Sequence, residues 1–486
     1  MKFYCQIESK RKPATLNAAL YYIFMVMKEA RYGLMVIAFL VSLILSGCVA
    51  NKQKPVILNV TTKVIEVNGK KVTVNTITQP DGTWGYYGTQ GQNFDVIVYN
   101  HLNEPTVIHW HGMLLPNNQD GTEITQTLFW PGESHDYHYP LKQAGTYWMH
   151  SHYSFQEQTY VEAPLIIYPP DYNPEYDIVI MFQDFSFTAP EKIFEDLKKG
   201  SMGNMEMSNK EMADMKPDLN DVDYDAFLTN YHTLENPVTK EVIPGQTYRL
   251  RFINGASATN FWIDLGSLNG TAIAMDANDI QPIEGSLFQL PIAERLDVNI
   301  TIPAAGGVFP IIGKVEGEND QTGMILYTKG KDIPIIPIKA NTAAPALNYD
   351  QEYNFHAVSQ EFKNLQIKKI IDVVLTGNMQ NYVWMINGQV WPNIVPIELK
   401  KDQNFQIDFI NKSEMAHPMH IHGHFFQVIA IDGEPIPDGV IHDTVFVKPH
   451  STVSVVLKAD VSGRWFLHCH MLYHMHAGMM TFIQTR

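Results

Sequence analysis

The sequence predicts an all-β protein built of three β-sandwich domains. Three observations carry that expectation. The chain has 486 residues, a length that suits about three domains of roughly 150 residues each. Its apolar residues fall in short alternating runs of Val, Ile, Thr and aromatics, punctuated by Gly, Pro and Asn, the signature of strands and turns. One pattern also recurs three times along the chain, the mark of a repeated structural unit.

Composition narrows the function classes. Hydrophobic residues make up 45% and charged residues 18%, so large cores can be buried. A formal charge of −16 argues against nucleic acid, whose phosphates such a surface repels, and suits the attraction of cations. The three cysteines, Cys5, Cys48 and Cys469, lie too far apart for a CxxC framework, which excludes a disulfide scaffold and a Cys-rich zinc module.

The first element, residues 1–48, reads as an export signal. Lys28 and Arg31 form a basic start, Gly33 to Ile44 is nearly all apolar, and Leu45-Ser46-Gly47-Cys48 closes it. The apolar run is too short to cross a bilayer comfortably. Its end resembles a bacterial lipobox, so we expect an exported protein in the periplasm or cell envelope, held to a membrane only by lipid on Cys48. Residues 1–26 sit oddly upstream of this signal, which points to a true start at Met25 or Met27 and a mature chain without Cys5. The domains that follow are expected at 51–170, 171–340 and 341–486.

The repeat justifies those three units. Tyr99 to Gly112 reads YNHLNEPTVIHWHG, Ile253 to Gly266 reads INGASATNFWIDLG and Ile410 to Gly423 reads INKSEMAHPMHIHG. Spacings are 154 and 157 residues, and the second-place Asn and last-place Gly hold throughout. Each follows an alternating strand: FDVIVY, YRLRFI and FQIDFI. A second trio comprises AGTYWMHSH from Ala144, AGGVFPIIG from Ala305 and SGRWFLHCH from Ser462. Copies one and three carry histidines where copy two is apolar. Copy two therefore reads as a support.

Four His-x-His pairs result: His109/His111, His150/His152, His420/His422 and His468/His470. Residues i and i+2 of a strand face the same way, so each pair aims two imidazoles at one place. Eight imidazoles exceed the three or four ligands of a zinc site and imply several metal ions together. Cys469, between the last pair, faces oppositely and must serve another metal. His417, His474 and Met479 lie within reach of it in sequence, and two histidines, a cysteine and a weak axial methionine make a blue-copper electron-transfer site. Met480 stands beside Met479 and competes with it for the axial place. The two sites should lie roughly 10 Å apart, from ~3.3 Å per strand residue plus two side chains. Copy one has Ser151 in place of Cys469 and Thr106 in place of His417, so it should hold no blue copper.

HWHG, WMHSH, HPMHIHGH and HCHMLYHMHAGM resemble the four copper signatures of the multicopper oxidases, a family that includes laccases and bacterial copper-resistance oxidases. The resemblance covers nearly the whole mature chain. It implies three cupredoxin-like Greek-key domains and four copper ions. A type 1 copper would take His417, Cys469, His474 and Met479, a type 2 copper His109 and His420, and a type 3 pair His111, His150, His152, His422, His468 and His470. The implied reaction takes single electrons at type 1 copper and reduces O2 to water at the other three.

The resemblance also implies a proton-supplying acid at Asp120, nine residues after His111; as a bare residue, Asp120 reads equally as a turn aspartate before Gly121. Many relatives place another acid just after the second type 1 histidine, where this chain has Met475, which puts that proton route in doubt. Residues 201–215 hold Met202, Met205, Met207, Met212 and Met215 among polar neighbours. Thioethers prefer Cu(I), so Cu(I) is the expected reductant and copper detoxification the expected purpose. The alternatives are a laccase-like oxidase of phenols and a copper-binding envelope protein without turnover.

Overall fold

A computed structural model describes residues 54–200 and 219–486, together with Met25 and Lys28. The rest of the export signal, with Cys5, Met27 and Cys48, and the five methionines from Met202 to Met215 lie outside the described residues. No helix among the described residues is long and apolar enough to cross a membrane.

Each copy of the repeat is folded into two sheets. In the first, strands Lys70–Thr78, Val56–Val67, Asn93–Asn100 and Ser134–Pro140 make one sheet; Tyr86–Thr89, Glu162–Tyr168, Gly145–Ser151 and Ile108–His111 make the other. The second copy has a six-stranded and a five-stranded sheet, and the third a seven-stranded and a five-stranded one. The alternation read from sequence decides which side chains go inward. In Asn93–Asn100, Phe94, Val96 and Val98 are buried; in Gln403–Asn411, Phe405, Ile407 and Phe409 are. Each such side chain contributes about 2 kcal/mol on burial.

The same long-range pairing recurs in every copy. Val56–Val67 runs parallel to Asn93–Asn100, Asp177–Phe185 to Thr247–Asn254, and Ile367–Asn378 to Gln403–Asn411. The recurring asparagine ends the second strand of each pair and ties down the loop beyond it. Asn100 donates to the carbonyls of Glu104 and Phe129 and accepts from the backbone N–H of Leu102. Asn254 does the same with Thr259, Leu290 and Ala256, and Asn411 with Met415, Val447 and Ser413. Buried loop carbonyls need such partners, and an amide can both donate and accept here where Asp could only accept. The loop fixed this way leads directly into the strand that bears the first histidine pair in copies one and three. Pro55–Arg486 forms one compact unit.

Candidate metal centres

In copy three, Gly463–Cys469 pairs with His417–Ile421, setting Met419 opposite Cys469 and His420 opposite His468. Strand alternation then sends Cys469 to one side and His468 to the other. On the cysteine's side, its Sγ lies 3.6 Å from His417 Nδ1 and 3.7 Å from His474 Nδ1, and the two nitrogens are 3.1 Å apart. All three residues are fully buried.

The far nitrogens of both rings are occupied. His474 Nε2 lies 2.8 Å from Asp221 Oδ2, and a carboxylate accepts, so the ring proton sits there and Nδ1 offers a lone pair. His417 Nε2 lies 2.7 Å from Ser413 Oγ, whose own hydrogen is directed to Asn411. Burial pushes the Cys469 thiol far above its usual range, so only a metal cation would hold it as a thiolate. Two imidazole lone pairs and a thiol converging in a dry site fit a soft or borderline metal ion. Met479 is buried, and its carbonyl accepts from Cys469 N–H at 3.1 Å. Met480 pairs across the ladder with His468, on the face away from Cys469.

The eight paired histidines meet on the other side. His109 stands opposite His150 in the first copy's ladder, as His420 does opposite His468 in the third. His109 and His420 face each other with Nε2 atoms 3.4 Å apart, while their Nδ1–H groups donate to the carbonyls of Asp120 and Asp443, both at 2.8 Å. His468 Nε2 lies 3.1 Å from His422 Nε2 and 3.4 Å from His152 Nε2. His470 and His150 approach with Nε2 atoms 3.4 Å apart. His111 is turned the other way: its Nε2 lies 3.0 Å from Asp443 Oδ1, and its Nδ1 has no hydrogen-bond partner among the described residues.

Burial holds His111, His150, His152, His420, His422 and His470 well below the usual histidine range, with neighbouring imidazoles adding to the effect. Burial likewise brings His468 down to about 4. Neutral rings with their lone pairs directed at one another at these distances repel unless a cation lies among them. Triads such as His109/His111/His150 and His152/His422/His468 have ligand atoms within 4.8 Å of one another. The donor set fits several closely spaced metal ions.

Asp120 belongs to this wall. It is 1% exposed, with Oδ2 3.0 Å from His422 Nδ1 and Oδ1 3.4 Å from His109 Nδ1. Gly121 makes the approach feasible: its φ is +81°, and a Cβ there would stand 1.7 Å from the carbonyl oxygen of Ile108.

The structure adds groups that sequence reasoning passed over. Glu157 Oε2 lies 2.9 Å from His150 Nδ1, and its Oε1 3.8 Å from His470 Nδ1. Asp221 and Ser413 support the cysteine site, and Asp443 and Thr444 support His111. These lie at no repeated spacing, so only Glu157, inside the QEQ that follows the second pair, carried a visible sequence cue.

The two described flanks of the methionine segment come to the cysteine site. Helix Pro190–Lys199 brings the Phe194 ring 6.3 Å from Tyr382 and 6.5 Å from Tyr473. Beyond the segment, Asp221 reaches His474, and Tyr382 donates to the same carboxylate.

Three family models, each described as multicopper oxidase, match residues 50–172, 177–330 and 365–486. Among curated proteins, the chain is similar to multicopper oxidase MmcO of Mycobacterium tuberculosis, 32% identical over 81% of this chain and 79% of that protein. It is also similar to copper resistance protein A of Escherichia coli, 25% identical over 80% of this chain and 86% of the other. Among solved structures, it resembles Fet3p, a multicopper oxidase that functions in iron import, with a TM-score of 0.73 at 20% identity over 88% and 90% of the two chains. The laccase from Botrytis aclada gives 0.72 at 21% identity over 89% of each.

Proposed function

Because the chain belongs to the multicopper oxidase family and is thus a copper-dependent oxidoreductase of three cupredoxin-like domains, we propose that it oxidises Cu(I) with O2 in copper detoxification. One type 1 copper would be held by His417, Cys469, His474 and Met479. His109 and His420 would hold a type 2 copper. A type 3 pair would divide between His111, His150 and His470 on one side and His152, His422 and His468 on the other. The ladder register supports Met479 over Met480 as axial ligand, since Met480 shares the face of His468.

Bound copper would supply the redox chemistry, in which four one-electron oxidations are matched by reduction of O2 with four protons to two waters. The chain's own part is positioning. Cys469 is joined through backbone to His468 and His470, so the two centres are connected almost wholly by covalent bonds. Asp120, Glu157 and Asp443 fix the far nitrogens of His422, His150 and His111, which orients the ligands before metal arrives. Asp120 also places a buried carboxylate beside the cluster, where a proton for reduced oxygen is needed.

The observation that supports Cu(I) as reductant is the convergence of both flanks of the methionine segment on the His474 side. Thioethers bind Cu(I), and Asp221 links the segment's far flank to a type 1 ligand. Copper resistance protein A among the relatives agrees with this; the laccases among them favour the second reading, phenols or other organic reductants. Deleting residues 201–215 separates the two. We expect cuprous oxidase activity to fall at least about tenfold while phenol oxidation rises, loss of thioether ligands being the loss of soft-metal selectivity. Unchanged kcat/KM for Cu(I) after the deletion would remove the proposal.

A further inference from the structure

Copy two has no histidine pair, yet its Arg295 reaches Asp443, a residue that two of the paired histidines touch. Arg295 opens strand Arg295–Thr301 and is fully buried. Its guanidinium grips Asp443 with both arms: Nη1 donates to Oδ1 at 2.8 Å, and Nη2 donates to Oδ2. The remaining hydrogen bonds hold the arginine itself. Nη1 also lies 3.0 Å from Asp276 Oδ1 and donates to the carbonyl of Ala293 at 3.2 Å, and Nε donates to the carbonyl of Thr146 at 3.2 Å. Asp443 in turn touches two paired histidines. Its Oδ1 lies 3.0 Å from His111 Nε2, and its backbone carbonyl accepts from His420 Nδ1–H at 2.8 Å.

A neutral imidazole has a single N–H. A carboxylate facing Nε2 draws the hydrogen there and turns the Nδ1 lone pair inward, which matches the unpartnered Nδ1 of His111. The carboxylate must itself be held in one plane, and the rigid fork of an arginine does this where a lysine's point charge would not. The recurring glycine of the repeat gives room for it. Gly112 follows His111 with φ +83°, and a Cβ there would stand 2.5 Å from Asp443 Oδ2 and 2.7 Å from Arg295 Nη2. The glycine that ends HWHG thus leaves space for this ion pair beneath the histidine.

We infer that Arg295, supplied by the copy of the repeat without copper ligands, is a positioning residue for the cluster, setting His111 and His420 through Asp443. This rests on the proposal that those histidines hold copper. The test compares the copper-loaded protein with Arg295→Lys and with the double variant Arg295→Met/Asp443→Leu. Removing both charges together avoids leaving Asp443 as a buried carboxylate without its partner, while Asp276 keeps His442 at 2.7 Å. Two quantities are read in each: the blue absorption of the cysteine site, and the cluster copper that survives dialysis against a chelator, counted by elemental analysis and by the electron paramagnetic resonance of the mononuclear ion. We expect both variants to stay blue while cluster copper is released about 10- to 100-fold more readily, the usual cost of losing a partner behind a metal ligand. A blue double variant that keeps cluster copper as tightly as the parent, with an unchanged resonance signal, overturns the inference. If the double variant is not blue, Arg295→Lys decides on the same two readings. Parent protein lacking cluster copper altogether would instead overturn the ligand assignment.

Discussion

Copies one and three of the repeat hold the same small site in two chemical states. In copy three it is His417, Cys469 and His474; in copy one the corresponding places are Thr106, Ser151 and Gln156, with Gln156 five residues after Ser151 as His474 is after Cys469. Thr106 and Ser151 both donate to Gln156 Oε1 at 2.7 Å, and the Gln156 amide donates to the carbonyl of Pro105 at 3.0 Å. That set satisfies itself with hydrogen bonds. The other brings two imidazole lone pairs and a thiol within 3.7 Å of one another, an arrangement that calls for a cation. One position in the fold is thus either closed by polar side chains or opened for a metal, and three residues decide which.

The comparison can be broken most severely from the copper side. Cys469→Ser gives copy three the residue of copy one, and it should abolish both blue absorption and turnover; a protein that stayed blue would end the assignment. Where the two copies meet, Asp120→Asn keeps the shape of the side chain but removes the carboxylate behind His422. Rapid mixing should show type 1 reduction at the parent rate and O2 reduction slowed about 10- to 100-fold. Equal rates in both steps would take Asp120 out of the reaction. The smallest change comes from the closed site. Gln156→Leu leaves the buried hydroxyls of Thr106 and Ser151 without their shared acceptor, which should cost about 1–3 kcal/mol. Thermal unfolding should register that loss while the blue absorption stays as it was; an unshifted midpoint would mean that the trio contributes nothing.

What the sequence made legible follows from periodicity. The His-x-His pairs are visible because a strand repeats every two residues, and the domain count is visible because the asparagine and glycine recur at 154 and 157 residues. The opposed facing of Cys469 follows from the same alternation and agrees with the ladder register. The groups behind the ligands obey no such rule. Asp443 meets His111 across 332 residues, and Asp221 meets His474 across 253. Their contacts arise only when separate sheets pack together, and no spacing within one strand announces them. Gln156 is the intermediate case: carrying the repeat alignment five residues past Ser151 would have matched it with His474. Asp120 could be read as a turn residue or as a functional acid, and its near-complete burial against two histidines favours the latter.

His109 with His420, and His152 with His422 and His468, draw their members from opposite ends of the chain. On the ligand assignment proposed above, a newly made chain that ends before residue 420 would own no complete cluster site. Metallation of that cluster would then come last, after the first and third copies have found each other. Ions seated there would latch those copies together, so stripping them should loosen the seam between the two ends before it melts either sandwich.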